Sequence, residues 1–268
     1  VEIEGRHREL CALINHHNHL YYVDASPEIS DAEFDALMRE LQAIEAEYPA
    51  LLTPDSPTQR VGGEPLEEFA TVEHVAPMLS IDNTYSDGEI RAFDERVRRS
   101  LSGEKTAYVV ELKIDGVSIS LSYESGILVR AATRGDGRRG DDVTANVKTI
   151  MAIPLRLRDT PPDSLEVRGE IFMRRAELER LNRIREETGE PPLANPRNAT
   201  AGTLKLLDPR EVRKRRLSFF AYGTAPLPEA ELPSHWETLQ RLSQYGLPVS
   251  PYAERCNTID EVIEVCAK

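Results

Sequence analysis

One proline- and glycine-rich stretch, TPDSPTQRVGGEP (Thr53 to Pro65), separates two regions of this chain that have different hydrophobic periods. It has no period of its own and is the best candidate linker. The first sixty residues read as two amphipathic helical segments around the turn-like DASPEIS. Ser30 and Glu33 form an S-x-x-E capping box, opening a helix whose apolar stripe is Phe34, Leu37, Met38, Leu41 and Ile44, and Pro49 ends it. From about Pro77 the texture changes to short alternating strands. SYESGILV reads as a hairpin turning at Ser125 and Gly126, and Leu165 to Phe172 and Arg216 to Gly223 read as further strands. Helices are expected at about 174 to 188 and 235 to 245, the latter with a capping box at Ser234 and Glu237 and a stop at Gly246. The expected fold class is α+β: a helical domain over 1–60, then an antiparallel-sheet domain over 61–268.

The chain has 268 residues, enough for two domains, and a formal net charge of -13. That charge argues against a general grip on nucleic acid, which needs clustered Lys and Arg, so any such contact must be local. Cys11, Cys256 and Cys266 are scattered and never spaced as C-x-x-C, which leaves no disulfide framework or four-cysteine zinc site and fits a reducing cytoplasm. No uncharged apolar run approaches a membrane span, so no membrane partner is expected.

VVELKIDGVSIS, Val109 to Ser120, alternates as a strand would, with Val110, Leu112 and Ile114 on one face and Val109, Glu111 and Lys113 on the other. Lys113, two residues from Glu111 and two from Asp115, is either a salt-bridge partner or a reactive amine.

K-x-D-G at Lys113 is followed by TRGDG (Thr133 to Gly137), VRGEIF around Glu170 and FFAYG around Tyr222. HNHLYYVDASPEISDAEFDAL, LTPDSPTQRVGG, PMLSIDN, TRGDGRRGDDVT, ANPRNATAG and LDPR complete the series. In that order these motifs resemble the covalent nucleotidyltransferases, and the whole chain is similar to the N-terminal part of the bacterial NAD-dependent DNA ligases. The resemblance implies a helical domain that binds the nicotinamide mononucleotide half of NAD and an adenylation domain that continues past Lys268. It implies that Lys113 attacks the α-phosphate of NAD, giving lysyl-AMP and releasing nicotinamide mononucleotide, with Mg²⁺ assisting. In the complete enzyme the AMP would then pass to the 5'-phosphate of nicked duplex DNA, the enzyme acting as a cytoplasmic monomer.

By the same resemblance, Glu111 reads the adenine edge, Ser80 and Ile81 line the base, and Arg134 lies near ribose and phosphate. Glu170 engages the ribose hydroxyls and Tyr222 stacks on adenine; Gly169, lacking a side chain, is expected to let the ligand approach. Arg197 and Lys205 correspond to DNA-phosphate contacts, although the family commonly has arginine where Lys205 stands. Tyr21, Tyr22, Asp31, Phe34 and Asp35 correspond to the nicotinamide mononucleotide pocket, where the family often has His for Tyr22 and Tyr for Phe34. Two rival readings remain: an ATP-using ligase or capping enzyme, which shares K-x-D-G but not the helical domain, and a module that holds NAD without reacting.

Overall fold

The computed structural model describes residues 2–23, 26–60, 67–102, 104–225 and 234–268. In chain order the elements are α1 (Glu2–Tyr22), α2 (Asp31–Glu47), β1 (Thr71–Glu73), α3 (Asp87–Ser100), β2 (Tyr108–Val110), β3 (Val117–Glu124), β4 (Ile127–Thr133), β5 (Arg139–Asp141) and α4 (Thr144–Lys148). Then come β6 (Ser164–Phe172), α5 (Arg175–Glu187), α6 (Pro196–Leu204), α7 (Pro209–Arg213), β7 (Ser218–Thr224), α8 (His235–Gln244), β8 (Glu254–Cys256) and α9 (Ile259–Cys266). The mixed helical and antiparallel architecture is the one the sequence patterns imply.

Helix α2 starts at the full capping box, the Ser30 and Glu33 side chains each bonding the other residue's backbone N–H. Its stripe packs Phe34, Leu37, Met38 and Ile44 around buried Leu41, which closes a small core with Leu10 and Ile14 of α1. The proline-rich stretch is only partly a tether. Ser56 and Arg60 are buried, and the Ser56 and Thr58 hydroxyls both donate to the Glu45 carboxylate of α2. The Arg60 guanidinium donates to the carbonyls of Ile150 (3.1 Å) and Ile153 (2.8 Å), so the stretch is pinned to the segment between α4 and β6. Residues 61–66, which include the rest of the expected linker up to Pro65, lie outside the described residues.

The main sheet has the order β4-β3-β6-β7, all antiparallel. Alternation gives it one apolar face, with Ile119, Leu121, Val167, Ile171, Phe219 and Ala221 in the large core. Ser118, Glu170 and Phe220 are in register across β3, β6 and β7 on the other face. The β3–β4 hairpin turns where expected, Ser125 and Gly126 both having positive φ, as a two-residue turn matched to strand twist requires. Helix α8 begins at Ser234, whose hydroxyl accepts from the Glu237 N–H. It ends at Gly246 (φ +85°), with Gly246 N–H on the Ser243 carbonyl and Leu247 N–H on the Leu242 carbonyl.

The strand expected through Val109 to Ser120 is broken. Val110 ends β2, which pairs with β8, and Val117 begins β3 in a different sheet, so Glu111 to Gly116 are irregular. The alternation of faces therefore fails there, and Leu112 is 56% exposed. Gly116 is where the chain squeezes in: a Cβ would lie 2.1 Å from the Ile171 carbonyl oxygen of β6.

Candidate functional site

The polar face of the main sheet gathers several expected residues. Glu170 accepts from the Gly116 N–H (3.2 Å) on one oxygen and from the Ser118 hydroxyl (3.0 Å) on the other. The Ser118 hydroxyl also lies 2.9 Å from that of Tyr222. Tyr222 reaches this position through a bulge: Ala221 pairs with Gly169 and Gly223 with Arg168, leaving Tyr222 the extra residue on β7. Burial raises the Glu170 pKa, opposed by its bonds to Ser118 and Gly116 and then by the charges of Lys113 and Arg197. Burial likewise raises the Tyr222 hydroxyl, with Arg134 and Arg168 opposing from nearby. Glycine at 169 serves the fold rather than a ligand, since a Cβ there would lie 2.3 Å from the Phe219 ring of the core.

Lys113 stands exposed on the irregular segment, and the acids around it are turned elsewhere. Glu111 lies 2.7 Å from His235 Nε2 at the start of α8, and Asp115 pairs with Arg197 of α6 at 3.2 Å. Among the described residues Lys113 makes no ion pair, so the salt-bridge reading with Glu111 does not hold. Arg197 thus sits at the Lys113 segment, whereas Lys205 pairs with Asp141 of β5.

Two further tethers bring PMLSIDN to this face. Arg168 of β6 donates to the carbonyls of Ala76 (2.7 Å) and Pro77 (3.0 Å). Met78 N–H donates to the Gly137 carbonyl of the TRGDG turn (2.8 Å), and Arg134, opening that turn, donates its N–H to the Ser118 carbonyl. Ser80 and Ile81 follow directly and are exposed. Sequence reading missed Ser118, Arg168 and His235. Ser118 had a detectable signal, the polar position two residues after Gly116 in an alternating strand; the other two had none.

The nicotinamide-side candidates are placed apart from this cluster. Phe34 belongs to the small helical core, and Asp31 and Asp35 are exposed on α2. Tyr21 and Tyr22, their ring centroids 4.8 Å apart, line a cavity whose walls include no member of the Lys113 cluster.

Asp115 and Glu170 are hard oxygen donors beside Lys113, a set that suits Mg²⁺ completing its shell with water and phosphate oxygens. The two tight groups of ligating side chains among the described residues, His7–Cys11–Glu45 and His16–His17–Glu28, carry nitrogen or sulfur donors and lie in the helical region. No helix among the described residues is long and apolar enough to cross a membrane.

The family model "NAD-dependent DNA ligase adenylation domain" matches residues 66–268, and "DNA ligase-like, N-terminal NAD+-binding domain" matches residues 1–62. A DNA ligase of Carboxydothermus hydrogenoformans is 52% identical over 98% of this chain and 40% of its own length. One of Fervidobacterium nodosum is 54% identical over 98% of this chain and 37% of its own. The chain therefore spans about 40% of the length of the curated relatives it matches. On these matches and the motif order that the sheet face displays, the chain belongs to the NAD-dependent DNA ligase adenylation-domain family.

Proposed function

We propose that this chain carries out the adenylylation half of NAD-dependent DNA ligation, with Lys113 as the nucleophile. The observation that carries this reading is the pairing of Glu111 with His235 and of Asp115 with Arg197. Either carboxylate, so close in sequence, would otherwise be an ion-pair partner for the amine. Engaged elsewhere, they leave Lys113 free to meet a phosphate.

In the proposed step, Lys113 Nζ forms a bond to the α-phosphorus of the AMP half of NAD as the pyrophosphate P–O bond breaks. Nicotinamide mononucleotide leaves with the bridging oxygen, and the ammonium gives up two protons to solvent, so the phosphoramidate N–H is neutral while the phosphoryl group keeps one negative charge. Tyr222, Ser80 and Ile81 hold the adenine, Glu111 its edge, Glu170 the ribose, and Arg134 the ribose and phosphate. Mg²⁺, held by Asp115 and Glu170 together with phosphate oxygens, would neutralise charge on the transferring phosphoryl group. Tyr21, Tyr22, Asp31, Phe34 and Asp35, within the proposed domain 1–60, take the nicotinamide end, where carboxylates and aromatic faces suit a cationic ring. Arg197 and Lys205 meet phosphates of nicked DNA in the complete protein, where sealing would follow.

The test is donor choice. With Mg²⁺ and either NAD or ATP, the chain should release nicotinamide mononucleotide from NAD and no pyrophosphate from ATP. Comparable turnover of ATP would contradict the reading.

A further inference from the structure

A cavity of about 1220 Å³ lies between the end of α1, the 149–152 turn, α5 and α7. Its lining runs against the character of the chain: with a net charge of -13 overall, nine of the lining residues are Arg or Lys and three are Glu. Each of those glutamates is already engaged, Glu177 with Arg180, Glu190 with Arg185 and Glu211 with Lys214. Arg210 is taken by Asp208. The other five, Arg174, Arg183, Arg213, Arg215 and Arg216, make no ion pair among the described residues; Arg174 and Arg215 bond only the hydroxyls of Ser218 and Thr203.

This positive charge is concentrated enough to act on itself. Arg215 is pushed below the usual guanidinium range by burial and then by Arg185. Arg60, fully buried with backbone carbonyls as acceptors, is pushed down to about 10, mainly by burial, with Arg213 adding to it. Arg216 holds a left-handed backbone, φ 38°, uncommon for a residue with a side chain. Unneutralised guanidiniums cost stability, a cost offset by an anion that can take their paired donors. One wall is the Tyr21–Tyr22 pair, half exposed, with Arg213 and Arg216 both acting on the Tyr22 hydroxyl.

Cations that follow phosphates, beside aromatic rings on which bases stack, are the chemistry of a single-stranded nucleic-acid site. We infer that this cavity binds single-stranded nucleic acid, its phosphates on Arg174, Arg183, Arg213 and Arg216 and a base against Tyr21 or Tyr22. The inference does not rest on the roles proposed at Lys113. A free mononucleotide offers the same chemistry in smaller form, and if the tyrosines also hold nicotinamide mononucleotide the two ligands exclude each other.

The test uses the whole chain and a fluorescent thymidine oligomer of about twelve nucleotides, followed by anisotropy at low and moderate salt. Arg213→Glu with Arg216→Glu, both exposed positions, should weaken oligomer binding by about tenfold or more and flatten its salt dependence, with NAD affinity by calorimetry unchanged. Arg183→Glu alone should give a smaller loss in the same direction. Failure of the wild-type chain to bind the oligomer, or equal affinity in the double variant, would overturn the inference. An unaltered oligomer affinity beside an unaltered NAD affinity would leave the Lys113 reading intact while removing this one.

Discussion

The hydroxyls of Ser118 and Tyr222 lie 2.9 Å apart, joining β3 to β7 across the central strand β6, and the same Ser118 oxygen lies 3.0 Å from Glu170. One small side chain thus fixes both the aromatic ring proposed to stack on adenine and the carboxylate proposed to hold the ribose.

Ser118→Ala removes that shared partner without touching Lys113. The loss of one such bond is worth about 1 kcal/mol, so NAD affinity by calorimetry should fall roughly fivefold with little change in melting temperature.

Glu170 carries a pKa raised in the folded state, chiefly by burial. The folded chain therefore binds the proton more tightly than the unfolded one. Stability from this group is fully present below the unfolded value near 4.5 and is lost as pH rises through the folded value. Glu170→Gln, which can keep both bonds, should melt higher than wild type at about pH 8, with the gap closing toward about pH 4. The same variant should bind NAD more weakly.

Arg60 ties the proline-rich stretch to the carbonyls of Ile150 and Ile153. Arg60→Ala leaves these acceptors unmet and a void in their place, and should cost about 3 kcal/mol in urea unfolding. Lys105→Ala, at an exposed position, should cost almost nothing.

Asp31→Ala with Asp35→Ala alters two exposed side chains and should leave stability within about 0.5 kcal/mol. Nicotinamide mononucleotide release from NAD should drop at least tenfold. In the complete protein, sealing of a nick already bearing 5'-adenylate should persist.

The helices were legible because their signals are local: the Ser30–Glu33 box, the stripe ending at Ile44 and the Gly246 stop all act within a few residues. The β3–β4 turn was legible for the same reason. Alternation misled at Glu111 to Gly116, because the pattern continues while the backbone leaves one sheet for another. TPDSPTQR looked like a tether because burial of Ser56 and Arg60 depends on Glu45 and on carbonyls near residue 150, which composition does not encode. At the site, motif order named Glu170 and Tyr222. The contacts that hold the site span 92 residues for Arg168 to Ala76 and 124 for His235 to Glu111, and such pairings leave no periodic trace. The basic cavity was hidden by an acidic net charge, which averages away a local cluster.

Intact-mass measurement after incubation with NAD and Mg²⁺, followed by peptide mapping, tests the assignment of the nucleophile most directly. The chain should gain the mass of one adenylyl group, mapped to Lys113, and Lys113→Arg should abolish the gain while still binding NAD, since arginine keeps the charge and loses the nucleophile. An adduct mapped to Lys105 or Lys148, or one that persists in Lys113→Arg, would contradict the account.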